Sequence, residues 1–160
     1  MPLPVVSQEV YVERQSPPFG VWLLAPFAGL LTALVVLPLS LAAAVALFAA
    51  VSVTIALLLL RSSSRIVVTD GTDPGLRAGP AYLEAWHIGD VVPLDRDQTR
   101  DVLGPGANAL AYLAHRGWIS TAVRVEVRDV EDPTPYWVVS TRRPLELASA
   151  LDAVRPPLAD

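Results

Sequence analysis

The sequence predicts an α+β chain, a two-helix transmembrane hairpin followed by a small antiparallel β domain that closes with a C-terminal amphipathic helix. Three observations predict it. Gln15 to Leu60 run for 46 positions without a charge, apolar and charged residues alternate with period two only after that run, and an apolar stripe at helical spacing follows Pro144. The 160-residue chain is 52% hydrophobic and 18% charged, with a mean hydropathy of +0.44, which excludes both disorder and a purely soluble domain. The absence of Cys excludes disulfides, thiolate zinc sites, Cys nucleophiles and a lipid-anchoring Cys. Three segments follow: residues 1–14 as a cytoplasmic N-terminal segment, 15–60 as the hairpin, and 61–160 as one cytoplasmic β domain.

A single helix of 46 residues would be about 69 Å long at 1.5 Å per residue, more than twice a hydrocarbon core of about 30 Å. Two spans fit, about 19–37 and 41–60, broken by Leu37-Pro38-Leu39-Ser40, where Pro38 removes a helix donor. The second span holds six Leu, three Val, one Ile and one Phe, a composition that inserts favourably by roughly 3–6 kcal/mol. Phe19 and Trp22 stand where the first span meets the interface, and Pro26 lies close enough to its start to cause only a bend. Arg14 precedes the hairpin, Arg61 and Arg65 follow it, and the connecting turn is uncharged. The positive-inside rule therefore places both termini in the cytoplasm of the inner (plasma) membrane, with Phe19, Trp22, Arg61 and Arg65 as interface anchors. A cleaved signal peptide ending at Ala42-Ala43-Ala44 is the rival reading, but the apolar run continues to Leu60. Small residues repeat every four positions, at Ala25, Gly29 and Ala33 and at Ala42, Ala46 and Ala50. They suit packing of one span on the other, or else oligomerisation.

In the remaining chain Ile66-Val67-Val68-Thr69 predicts a strand ending at Asp70-Gly71, and Asp73-Pro74-Gly75 a second break. Ala81 to Trp86 and Val91 to Leu94 predict strands separated at Gly89-Asp90, and Asn108 to Ala114 is a further candidate. Val123, Val125 and Val127 alternate with Arg124, Glu126 and Arg128, which describes a strand with one wet face. The turn formers Asp129 to Thr134 precede the β-rich run Tyr136 to Thr141, so these two strands form a hairpin. A short helix, Arg96 to Leu103, is capped by Asp95 and stopped by Gly104-Pro105. The last helix runs from Pro144 to about Val154 before Pro156-Pro157, with Leu147, Leu151 and Val154 on one face beside Ala148. Short antiparallel strands followed by a terminal amphipathic helix is the order of pleckstrin-homology-like (PH-like) domains.

Five blocks carry a resemblance: Arg65-Ile66-Val67-Val68-Thr69-Asp70-Gly71, His87-Ile88-Gly89-Asp90-Val91, His115-Arg116-Gly117-Trp118, Thr121-Ala122-Val123-Arg124-Val125, and the run from Asp132 to Pro144. Over nearly its whole length the chain resembles an actinobacterial family of two-pass membrane proteins known only as a domain of unknown function. The resemblance implies the topology and a PH-like fold for the cytoplasmic part, and it carries no activity and no catalytic residues. All twelve basic residues are Arg, which suits a high-GC genome as well as it suits phosphate recognition.

No Walker loop, paired-His metal motif, dinucleotide fingerprint or nucleophile elbow is present. No cofactor and no metal are expected. His87 and His115 are the only histidines, each a potential base or a satisfied strand-end residue. Ser140, Thr141, Arg142 and Arg143, near a helix start, could hold an anion, or the two Arg could pair with Glu131, Asp132 or Glu146. Trp86, Trp118, Tyr136 and Trp137 are many rings for one small domain, and adjacent Tyr136 and Trp137 must face opposite sides of a strand. The segment after Leu60 carries eleven Arg against fourteen acidic residues, which disfavours nucleic acid as a partner. The leading expectation is a non-enzymatic, membrane-tethered module that binds a protein partner at the inner-membrane surface, with Arg116, Trp118, Arg142, Arg143 and Trp137 as candidate contacts. The alternatives are a sensor of anionic lipid headgroups using the same Arg residues, and an enzyme using His87 or His115 as base.

Overall fold

The computed structural model describes residues 7–129 and 131–156. Residues 1–6 of the expected N-terminal segment, Val130 of the 129–134 turn and Pro157 of the helix stop lie outside them. The chain forms two compact units, residues 16–64 and the chain on either side of them.

The inserted unit consists of apolar helices. Helices α1 (Phe19–Trp22) and α2 (Leu24–Val36) are separated at Leu23, because Pro26 has no N–H to bond the Trp22 carbonyl. Helix α3 (Leu41–Ser62) starts at Ser40, whose hydroxyl accepts the Ala43 N–H at 3.3 Å. The Phe19–Val36 segment and α3 are each long and apolar enough to cross a membrane by length and composition. The two helices pack along Ala25, Gly29 and Ala44. A Cβ on Gly29 would collide with Ser52 Oγ and stand 2.8 Å from the Phe48 carbonyl oxygen. Ala33 is half-buried, whereas Ala42, Ala46 and Ala50 are exposed. The four-residue Ala row of α3 therefore lies off the contact, since the row that reaches Gly29 runs through Phe48 and Ser52.

The second unit contains two sheets. Strands β1 (Gln8–Arg14), β2 (Arg65–Asp70), β3 (Gly75–Ala78) and β4 (Ala81–Glu84) form an antiparallel meander in that order. The segment expected to stand apart as residues 1–14 thus contributes the edge strand of this sheet. Its register runs from Gln8↔Asp70 to Arg14↔Arg65, with a bulge between Glu9 and Tyr11. Its polarity is inverted: Tyr11, Glu13 and Gln15 are buried while Val10, Val12 and Arg14 are exposed, which conceals a strand from any apolar-inward pattern. The β2–β3 and β3–β4 turns hold Gly71 and Gly79 at φ 101° and 64°, values that glycine adopts without steric cost.

The other sheet has the order β5-β7-β8-β6, formed by β5 (Ile88–Leu94), β7 (Ala122–Val127), β8 (Tyr136–Ser140) and β6 (Tyr112–Ala114). It is mixed rather than wholly antiparallel, because β6 runs parallel to β8. The strand expected from Ala81 to Trp86 stops at Glu84, and Ala85–His87 form a 3₁₀ turn. Gly89-Asp90 do not interrupt β5 but sit at a bulge within it. Of the candidate Asn108–Ala114 only the last three residues are strand. Asn108 instead caps a turn, accepting the Leu110 N–H at 2.9 Å.

Helix α4 (Arg96–Leu103) opens with a capping box in which Asp95 accepts the Asp97 and Gln98 N–H groups at 2.9 Å and Gln98 returns a bond to the Asp95 N–H at 3.0 Å. Helix α5 (Pro144–Val154) buries Leu147, Ala148 and Leu151. The core draws Ile66, Val68 and Leu76 from one sheet, Val123, Val125 and Val139 from the other, and Leu147 and Leu151 from α5. Ala122 and Val138 on the opposite face of the second sheet pack beneath Val102 and Leu103 of α4. Covering on both faces explains why β8 reads as a continuous apolar run.

Candidate functional site

A polar seam joins the first strand to the end of the last, over the residues Ser140-Thr141-Arg142-Arg143. Its centre is Glu13, only 6% exposed. The Glu13 carboxylate accepts the Tyr11 hydroxyl at 2.7 Å, the Thr141 hydroxyl, and the Arg142 N–H at 3.0 Å. The Arg142 guanidinium stands 3.9 Å away and donates to the Arg14 carbonyl at 3.4 Å. Thr141 Oγ1 also accepts the Arg143 N–H at 3.0 Å, so its hydroxyl is used in both directions. A buried carboxylate is tolerable when its lone pairs are met in this way.

Arg143 closes the outside of the seam. It donates to Glu146 and to the Val12 carbonyl, both at 2.9 Å, and lies 4.8 Å above the Tyr11 ring. The Val12 bond occupies a backbone acceptor of the edge strand, which lowers the exposure of that edge to pairing with another chain. The anions that the Ser-Thr-Arg-Arg run attracts are therefore ones the chain supplies itself, Glu13 at Thr141 and Arg142 and the expected Glu146 at Arg143. The Glu146 pairing is legible in the sequence, but the Glu13 pairing is not, because Glu13 and Thr141 stand 128 positions apart.

His115 joins the same seam from the other side. Its Nδ1 lies 2.9 Å from Ser140 Oγ, which also accepts the Arg116 N–H at 3.1 Å. Gln15 donates to the Ser140 carbonyl. Burial, and then the neighbouring Arg116 guanidinium, hold the His115 pKa below its usual value. Ser140 is completely buried, so this hydrogen bond orients an imidazole and does not present a hydroxyl nucleophile to solvent. His87 is elsewhere, 3.8 Å from both Glu84 and Asp129, and no group of three or more metal-ligating side chains occurs among the described residues.

The aromatic residues divide clearly. Trp137 is 6% exposed and packs on Tyr112 at 4.4 Å between ring centres, which makes it a core residue rather than a contact for a partner. Tyr136 faces the opposite side, against Val138 and Leu94, with Arg124 5.5 Å above its ring. Trp118 is half-buried, and its indole N–H finds no acceptor among the described residues. Of the four rings Trp86, Trp118, Tyr136 and Trp137, the exposed one is Trp86, at 54%.

Tyr11 gives the seam a pH dependence. Burial, reinforced by the hydrogen bond to Glu13, pushes its phenol up to about 12. An unfolded Tyr ionises near pH 10, so between about pH 10 and 12 the folded state retains a proton that the unfolded state has lost. The contribution is fully present below pH 10 and disappears as the pH rises toward 12. Urea midpoints measured at pH 9 and pH 11 are expected to fall more for the wild type than for Tyr11→Phe, which has no proton to retain.

The model of a family described as a protein of unknown function matches residues 10–151. No curated protein and no solved structure matches the chain.

Proposed function

The chain belongs to the DUF3093 family, and from that premise we propose that it is a two-pass inner-membrane protein whose PH-like cytoplasmic domain is a non-catalytic module for binding a protein partner at the membrane surface. The observation that carries the reading is the pairing of Arg14 with Arg65 at the ends of β1 and β2. Residues that are register partners in one sheet share a compartment, so the apolar segment between them crosses the bilayer an even number of times. Two helices of spanning length, exposed over most of their apolar surface, favour two crossings over none. Arg14, Arg61 and Arg65 at the ends and an uncharged turn between the helices favour the cytoplasmic side for the sheets.

The order of strands and the closing helix support the PH-like reading, with the hairpin as an insertion between β1 and β2. The all-Arg basic composition supports an actinobacterial origin. Recognition of a protein is supported by the inverted face of β1, where Val10 and Val12 stand exposed with Leu145 at the start of α5. Tethering raises the effective concentration of the domain toward membrane-proximal partners. A photo-crosslinking residue at Val12 or Leu145, activated in intact cells, should trap one reproducible protein that a probe at exposed Asp101 does not. Identical yields from all three positions would defeat this reading.

A further inference from the structure

A second polar region lies outside the seam. A cleft of about 470 Å³ separates α4 from the loop after β6, with Arg96, Thr99 and Arg100 on one wall and His115 and Gly117 on the other. Arg96, Thr99, Arg100 and Leu103 recur at helical spacing and form the face of α4 that lines the cleft. Asp97 and Asp101 do not line it, nor does any other acidic residue. Arg96 and Arg100 are thus the charged groups on this helical wall, with Arg100 also 3.6 Å from Asp97 on the same helix.

Two details distinguish this cleft from a solvated groove. Thr99 is only 3% exposed, and its hydroxyl has no hydrogen-bond partner among the described residues. Buried hydroxyls are normally satisfied, so the orphan on this cleft-lining residue is open to an acceptor that a turn of the Thr99 side chain brings within reach. The second detail is the orientation of His115. Ser140 Oγ already accepts the Arg116 N–H, and its other close partner is His115 Nδ1, to which it donates when the imidazole is neutral with its proton on Nε2. In that tautomer the Nε2–H, at the far end of the ring, is a donor.

We propose that this cleft binds a phosphate-bearing ligand, held by the guanidinium groups of Arg96 and Arg100 with the Thr99 hydroxyl and the His115 Nε2–H as neutral donors. Two guanidinium groups and two further donors suit a tetrahedral oxyanion, whose several oxygens accept from different directions. The ligand is either a soluble phosphate compound or the headgroup of a phosphate-monoester lipid, and the two sources are separable by experiment. This site depends on the β domain alone, so its failure and that of the proposed membrane topology are independent.

The test uses the full chain. In maltoside micelles free of phosphate, inorganic phosphate is titrated by calorimetry. In a second arm the unfolding midpoint is compared between nanodiscs of phosphatidylcholine alone and nanodiscs containing phosphatidic acid. Saturable binding in the first arm identifies a soluble ligand, and a raised midpoint only in the second identifies a headgroup. In either case Arg96→Gln with Arg100→Gln should weaken the effect at least tenfold, by losing charge-assisted bonds. Gly117→Leu should block it sterically, since nothing lies within 4 Å of a Cβ at Gly117 and the fold has room for the change. Thr99→Val should lower affinity while leaving the unliganded midpoint unchanged or raised, a combination that a purely structural hydroxyl would not give. No response in both arms, or responses equal to wild type in the Arg double variant, would overturn the proposal.

Discussion

Replacing residues 16–64 with a short Asn-Gly turn is expected to yield a soluble, cooperatively folded β domain. Arg14 and Arg65 already face each other in the register of β1 and β2, so a two- to four-residue connection closes the pair as an ordinary hairpin. The excision removes one compact unit and leaves the other complete. A fragment of residues 61–160, the boundary that hydropathy alone suggests, is expected to fail. It lacks β1 and so loses buried Tyr11, Glu13 and Gln15. Removal of a large buried aromatic side chain costs about 3–5 kcal/mol, and each buried polar group left without its partner costs roughly 1–3 kcal/mol more. Against a typical total stability of about 5–15 kcal/mol, these losses leave little. Amide proton dispersion and a sigmoidal melt would distinguish the two proteins. A well-dispersed, cooperatively melting 61–160 fragment would show that β1 is dispensable.

Glu13→Ala should be the most damaging single substitution in the polar seam. It removes the acceptor of the Tyr11 and Thr141 hydroxyls and of the Arg142 N–H, leaving the two hydroxyls only their 3.1 Å contact with each other in a largely buried region. Loss of one member of such a buried charged network costs about 3–5 kcal/mol. Glu13→Gln keeps an acceptor oxygen of the same shape and should cost roughly half as much. Because Thr141 acts through Glu13, the double variant Glu13→Ala with Thr141→Val should be less destabilised than the sum of the two single changes, by on the order of 1–3 kcal/mol. Additive losses, read from denaturant midpoints, would mean that the two side chains do not act as a unit.

What the sequence reveals and conceals follows from how far each signal extends. Helices α4 and α5 are legible because their caps and stripes are local: Asp95 with Gln98, and Pro144 with Leu147 and Leu151. The β7–β8 hairpin is legible for the same reason. Strand β1 is hidden because its outward face carries Val10 and Val12 and its inward face carries Glu13 and Gln15, and because its partner begins only after the inserted helices. The parallel pairing of β6 with β8 is likewise non-local. Arg142 and Arg143 are readable as an anion-seeking pair, and the acid that Arg143 meets, Glu146, is local, but the acid that Arg142 meets lies at the opposite end of the chain. Trp137 and Tyr136 show the same limit, since the alternation fixes that they face opposite ways but not which of the two faces the main core.

In the proposed topology the chain crosses the bilayer twice and returns to complete one cytoplasmic sheet. The absence of Cys permits a direct measurement, in which single substitutions Ser7→Cys, Leu39→Cys and Thr134→Cys are exposed to a membrane-impermeant maleimide in intact cells and again after lysis. Leu39 sits in the turn between the helices and is 82% exposed. Labelling of Leu39→Cys in intact cells, with Ser7→Cys and Thr134→Cys labelled only after lysis, is the expected result. Labelling of position 7 and position 134 from opposite sides of the membrane would contradict the account, because β1 could not then pair with β2.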